Sequence, residues 1–423
     1  MIFKRLVVLI AISMLVGLLV VACGRSRTLR WEAVPTSTPV LPTAILTPEV
    51  LPTETCTPKV PVAATPTIKV FVGRRVERLE RITEGAFPEW SPDGNLIAFC
   101  KPVNRTYQIF TMKPDGSEVK CLICDKPALR GTSHRGQPYW HPSGKYIVFT
   151  AENADFPRRG IGRTALPGIG RNHDVWIMTS DGEKFWRMTG YGENWGSIRP
   201  SFSHDGSKLY WNEEWSVEKY PGVGAFWDER NLTQRRGEEV GLWRIKIADI
   251  SFSPDGPAIS NIRIVPLPPQ LTLIEGEGFS PDDQRLIFSA CNPSETRGRC
   301  LWGDIYTMKV DGSSLTRLTN TPFIHDENGT YSPDGSRIAW NQSGGLPGQG
   351  EELYVVNADG TDKVRLTYFT EPGHPEYDPI ARQITELSWS PDGRRIVFGH
   401  CSREQERGTG ELGSSLYLLT LGE

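Results

Sequence analysis

Five of the seven histidines, His134, His173, His325, His374 and His400, fall in segments that the surrounding pattern places in loops. His325 is followed directly by Asp326 and Glu327, and His374 stands two residues before Glu376. Imidazole with carboxylate is a ligand set for divalent metals. No tight spacing such as His-x-x-x-His accompanies them, so no metal and no cofactor is assigned, and the five rings are expected to face solvent. His141 and His204 sit in short turns and read as structural. The longest insertion, residues 213–239, carries Glu213, Glu214, Trp215, Tyr220, Phe226, Trp227 and Asp228. Exposed aromatic rings among acids suit a protein, peptide or sugar ligand. A second insertion, residues 156–172, is rich in Gly, Pro and Arg. The candidate binding rim is therefore His134, Glu213, Glu214, Trp215, Trp227, His325, Asp326, Glu327, His374 and His400. No catalytic residue is assigned, because no activated-serine motif is visible.

Eight cysteines are present. Cys291 and Cys300 bracket a short polar loop and are the candidate disulfide. Cys121 and Cys124 have CxxC spacing, but they lie in an expected outer strand, where residues three apart face opposite sides. A redox pair is not expected there. The acids that open third strands, Asp174, Asp304 and Glu352, recur at equivalent sites, which points to a scaffold role.

These residues need a frame, and the chain supplies it by repetition. Trp90-Ser-Pro-Asp-Gly94 leads into Leu96-Ile-Ala-Phe99. The same phrase returns at Trp140–Phe149, Phe202–Trp211, Phe279–Phe288, Tyr331–Trp340 and Trp389–Phe398. Pro presets φ, Asp tolerates the bridge region and Gly takes the left-handed position, so each phrase is a tight turn between two strands. The strand after the turn is apolar on both faces, which fits sheets packed face to face. A second hairpin follows, as in Asp304-Ile-Tyr-Thr-Met308, Asp311-Gly312, then Thr316-Arg-Leu-Thr319. Each unit is four antiparallel strands, one blade of a propeller. Ser253-Pro-Asp-Gly256 mimics a first turn, but it follows a third strand (Leu242–Ile247) and precedes a fourth (Asn261–Val265), so it belongs to blade three. The count is six blades, at about 84–123, 135–189, 198–265, 275–319, 328–367 and 385–420. The last unit lacks a fourth strand, and residues 78–83 carry the Arg-x-Thr form of one. They are expected to complete blade six and close the ring.

The Trp-Ser-Pro-Asp-Gly … Ile-Ala-Phe … Asp-Ile-Tyr … Asp-Gly … Arg-Leu-Thr pattern resembles the PD40, or WD40-like, repeats of the TolB propeller family, over about residues 78–420. The resemblance implies an all-β, six-bladed propeller outside the cytoplasm that acts through protein partners. A Pro/Thr-rich linker stands where TolB carries an N-terminal α/β domain. Prolyl oligopeptidase-type enzymes share the repeat but also carry a hydrolase domain with a Gly-x-Ser-x-Gly elbow, which this sequence does not show. Some pectate-degrading lyases with related propellers bind a divalent metal.

The N-terminus sets the expected compartment. Lys4 and Arg5 precede an apolar run, Leu6 to Val21, and Ala22-Cys23-Gly24 follows. This reads as a secretory signal over residues 1–22, and it resembles the lipobox of bacterial lipoproteins, which implies cleavage before Cys23 and its lipidation with two or more acyl chains, enough for stable anchoring. Residues 23–70 form the linker: of residues 33–68, eight are Pro and nine are Thr. Such a stretch favours extended polyproline II and could lift residues 71–423 on the order of 100 Å from a membrane. The formal charge of −3 argues against a general nucleic-acid binder. The expectation is a lipid-anchored extracytoplasmic propeller on a bacterial cell membrane. It is a monomeric, non-catalytic module or scaffold for a protein or cell-wall glycan. The alternative is a metal-dependent polysaccharide lyase or glycan hydrolase acting at the same rim.

Overall fold

The computed structural model describes residues 75–422 except 157–166, 169, 171, 193–194, 215–242, 296–301, 346–349 and 403–413. All of them belong to one compact unit, Pro66–Glu423. The signal, Cys23, the linker, Trp215, Trp227 and Cys300 lie outside the described residues. Among the described residues no helix is long and apolar enough to cross a membrane.

The described chain forms six four-stranded antiparallel sheets, as the repeats require. Blade one is β2 (Ala86–Trp90), β3 (Ile97–Val103), β4 (Thr106–Met112) and β5 (Lys120–Cys121). Blade two is β6 (Thr132–Trp140), β7 (Tyr146–Asn153), β8 (His173–Thr179) and β9 (Phe185–Arg187). Blade three is β10 (Ser197–Phe202), β11 (Lys208–Glu214), β12 (Trp243–Ser253) and β13 (Gly256–Ile264). Blade four is β14 (Thr272–Phe279), β15 (Arg285–Cys291), β16 (Asp304–Lys309) and β17 (Thr316–Arg317). Blade five is β18 (Asp326–Tyr331), β19 (Arg337–Ser343), β20 (Glu351–Asn357) and β21 (Val364–Arg365). Blade six takes β22 (Ala381–Trp389), β23 (Arg395–Ser402) and β24 (Ser414–Gly422), then borrows β1 (Arg75–Glu84) as its outer strand. Ser253–Gly256 is indeed the β12–β13 turn of blade three.

Burial explains the radial packing. The second strands, such as Ile97-Ala98-Phe99-Cys100, are buried on both faces. Apolar side chains of neighbouring blades interdigitate: Phe99 and Trp90 pack with Val397 and Leu418, and Phe149 and Ile147 pack with Ile109 and Ile123. Ile287 and Ile305 meet Trp340 and Val356 in the same way.

Each first turn is held from inside. The Ser hydroxyl donates to the Asp carboxylate at 2.5–2.6 Å in Ser91–Asp93, Ser203–Asp205, Ser280–Asp282, Ser332–Asp334 and Ser390–Asp392. The same hydroxyl accepts the backbone N–H five residues on, as from Leu96 at 2.9 Å. In blade two His141 takes the Ser place, with Nδ1 2.8 Å from Ser143 Oγ.

The CxxC expectation is corrected. Strand β5 ends at Cys121, and Cys124 lies beyond it, so the alternation of a strand no longer separates them. They form a disulfide with Cα atoms 5.8 Å apart. The intervening Leu122 and Ile123 are buried between blades one and two.

Candidate axial binding site

The innermost strands carry a recurrent irregularity three residues before the shared aromatic. Phe87, Gln137, Arg199 and Asn328 all have positive φ, between 46° and 59°. Each lies at a break in the register with the second strand. A non-glycine residue in this region is strained, and a bulge there re-aims side chains. Glu386 occupies the same place in blade six, also at a register break.

Those side chains meet across the ring. The Gln137 amide donates to Glu386 Oε1 at 2.5 Å, and the Arg199 backbone N–H donates to Gln137 Oε1 at 3.1 Å. Arg199 Nη1 donates to Asn328 Oδ1, and its guanidinium lies 3.3 Å from Glu275 and 3.7 Å from Glu386. Arg199 is 2 % exposed. Burial works to depress the guanidinium, but Tyr139, Glu386, Glu275 and Glu277 around it hold it charged.

Carboxyls outnumber that single cation. Burial pushes Glu89 up to about 8, with Glu386 adding to the rise while the Ser388 hydroxyl opposes it. Burial likewise pushes Glu277 up to about 8, against the pull of Arg199. Glu275 and Glu386 are also raised by burial. Glu327 goes the other way: burial would raise it, but His325 beside it holds it low. Gly303 N–H donates to His325 Nδ1 at 3.0 Å, which leaves Nε2 to donate to Glu327 Oε2 at 2.9 Å.

A cavity of about 300 Å³ opens over this belt, on the rim of short turns. All six blades line it. Glu89, Tyr139, Ser201 and Glu277 contribute polar groups, and Trp90, Trp140, Phe202, Phe279, Tyr331 and Trp389 contribute the aromatic collar. Four lining residues carry buried polar atoms without a hydrogen-bond partner: Glu277 Oε1, Ser201 Oγ, Trp90 Nε1 and Trp140 Nε1. Buried polar atoms call for a partner, and these four belong to residues that line the cavity, where a ligand or water can supply it.

The residues singled out in the sequence lie elsewhere. His134, His173, His325 and His400 are buried rather than facing solvent. They fill gaps between strands: His134 Nδ1 accepts from Tyr107 N–H at 3.2 Å, and His400 stacks on Phe369 with ring centres 4.2 Å apart. His374, half-buried, stacks on Tyr368. Glu213 is buried in ion pairs with Arg244 and, at 2.6 Å, with Lys246. Glu214 follows it, its N–H donating to Gly196 O at 2.9 Å. Asp326 is fully buried and accepts from Trp340 at 3.0 Å and Gln342 at 2.6 Å. Only Glu327 joins the axial cluster. Cys291 is disulfide-bonded. Among the described residues no three His, Cys, Asp or Glu side chains are gathered in a metal-holding arrangement.

The third-strand acids have a structural task. Asp304 accepts from Arg317 at 2.5 Å, from the Thr319 hydroxyl at 3.2 Å and from Thr321 N–H at 2.9 Å. Asp174 does the same with Arg187, Thr189 and Tyr191, and Glu352 with Arg365, Thr367 and Phe369.

No family model and no curated protein matches the chain. Among solved structures it is similar to TolB from Acinetobacter baumannii, at 16% identity and a TM-score of 0.45, over 81% of this chain and 64% of that one. It is also similar to a gluconolactonase from Xanthomonas campestris (13% identity, TM-score 0.48, 82% and 91% covered). A third is an oligogalacturonate lyase from Vibrio parahaemolyticus (11% identity, TM-score 0.46, 84% and 96% covered). These likenesses describe the ring and say nothing of activity. By its repeats and sheet order the chain is an all-β, six-bladed propeller. The chain spans less than two thirds of the TolB structure's length.

Proposed function

We propose that this propeller is an extracytoplasmic, lipid-anchored binding module without catalytic activity of its own, and that its protein or cell-wall glycan ligand engages the axial mouth on the short-turn rim. The observation that carries the reading is the cavity itself: six blades converge on it, and four of its residues hold unpartnered buried polar atoms. The acids and histidines that first suggested chemistry are instead engaged in holding strands together, which favours binding over catalysis. Anchoring rests on the Ala22-Cys23-Gly24 signal.

The test is capture of envelope proteins and cell-wall fragments by the full-length protein and by Ser201→Phe, which fills the mouth. Reduced capture by the filled variant at unchanged thermal stability supports the reading; equal capture removes the cavity from it. Cys23→Ala tests the anchor separately: the protein moves from the membrane to the soluble fraction, and retention in the membrane overturns lipidation at that residue.

A further inference from the structure

Resting on the axial-mouth reading, we propose that the group recognised in the cavity is an organic cation, a protonated primary amine on a short alkyl stem. The cavity's charged lining is two carboxyls, Glu89 and Glu277, with His204 at the rim and no Lys or Arg among the described lining residues. His204 is occupied by Asp283, 3.1 Å from its Nδ1. The one buried cation nearby, Arg199, is turned to Glu275, Glu386 and Asn328 in the belt.

Two of the four unpartnered atoms fit the same chemistry, while Trp90 Nε1 and Trp140 Nε1 are donors and call for an acceptor such as water. Gly329 N–H occupies Glu277 Oε2 at 2.5 Å, while Oε1, in a side chain 6 % exposed, has no donor. Ser201 Oγ, in a residue 7 % exposed, is a second free acceptor. A protonated primary amine carries three N–H donors, enough for one to each acceptor. Trp140, Trp389 and Tyr331 also line the cavity, and aromatic faces attract a cation and not an anion, whereas the Trp90 ring already carries the Arg395 guanidinium 4.6 Å from its centre. The volume of about 300 Å³ admits a small head and stem and excludes a bulky one.

Protonation couples to such binding. Glu89 faces Ser388, Glu386 and Arg199; Glu277 faces Arg199, Glu327 and the backbone N–H groups of Asn328 and Gly329. Tyr139, Glu275 and the His325–Glu327 pair complete the surroundings. Both lining carboxyls hold their protons up to about 8 because burial is not offset by positive charge. An entering cation supplies that charge and expels a proton. Affinity therefore falls as pH drops below 8, about tenfold per unit for each proton released.

The experiment is calorimetric titration of the full-length protein with n-butylammonium chloride at pH 6.5, 7.5 and 8.5, in two buffers of different ionisation enthalpy. The expected result is binding that tightens about tenfold between pH 6.5 and 7.5 with release of about one proton. Glu277→Gln or Glu89→Gln weakens it tenfold or more and reduces the proton release, and Glu80→Gln, on the outermost strand β1, leaves it unchanged. Two substitutions are used so that one folding failure does not decide the outcome. A short peptide carrying one lysine separates the sources: tighter binding than the free amine assigns the cation to a polymer, weaker binding to a small molecule. Absence of amine binding, equal binding of n-butanol, or affinity independent of pH overturns the cation. If the cation fails while Ser201→Phe still lowers partner capture, the axial mouth stands and only its ligand class is lost; if neither responds, both are lost.

Discussion

Glu277 shows how far a single residue can tilt the stability of the whole ring. In the unfolded chain its carboxyl loses its proton near 4.5, whereas in the folded chain it keeps it to about 8. Between those values the folded state holds more protons than the unfolded one, so stability falls as pH rises. Below 4.5 the contribution is fully present, and above 8 it is gone. Glu89 adds a second contribution of the same sign. Glu277→Gln stays neutral throughout and is expected to flatten the curve. Thermal melts from pH 5 to 8.5 check this: the melting temperature of the parent declines with pH, and the variant gains on it by several degrees at the alkaline end. A parallel decline in both proteins would count against burial as the cause. None of the axial residues except Glu327 was found from the sequence, because repetition hides them. The shared aromatics and turns recur six times, but the position three before the aromatic is Phe, Gln, Arg, Gly, Asn or Glu, one of each. The available signal was that variation itself, as at Arg199 and Glu386, against the constancy of the aromatic three residues on.

The elements were far more legible than the site. Turn chemistry and alternating apolar strands are local, so each hairpin could be placed, including the Ser253–Gly256 turn that mimics a first hairpin. The recurring Arg-x-Thr after the second hairpin also has a local reason. Strands β5, β17 and β21 make only two ladder residues each. Side chains take over where the ladder stops: the Thr319 hydroxyl accepts Ile305 N–H at 2.9 Å and donates to Asp304, and Thr367 repeats this with Leu353 at 2.8 Å. Thr319→Val keeps the shape and removes both bonds, leaving Ile305 N–H and one Asp304 lone pair unmet in a buried place. The loss is expected at about 1–3 kcal/mol, read as a lower denaturant midpoint at unchanged slope. A change below about 0.5 kcal/mol would place the clamp outside the fold's stabilising interactions. The CxxC disulfide escaped the sequence for a related reason, since the end of so short a strand is not marked by composition.

Closure is a property of the whole molecule, and one strand supplies it. Five blades are continuous in sequence, but blade six is zipped from both ends of the propeller, β1 against β24, with Leu79 opposite Leu419 and Glu80 opposite Leu418. The join reaches inward as well: Gly85 N–H donates to Ser414 O at 2.9 Å, and the Ser414 hydroxyl returns a bond to Gly85 O. Val76 and Leu79 lie over the core of blade six beside Tyr417. Removing residues 75–84 uncovers the whole edge of β24, a nine-residue row of unpaired backbone groups flanked by apolar side chains. Such an edge recruits other strands. The truncated protein is therefore expected to self-associate in size-exclusion chromatography and to melt earlier and over a broader range than the parent. Adding the 75–84 segment back as a peptide restores the parent's elution volume, because the same ladder can form between chains. A truncated protein that elutes and melts as the parent does would mean that the five continuous blades and the three-stranded sixth hold the ring closed without the clasp.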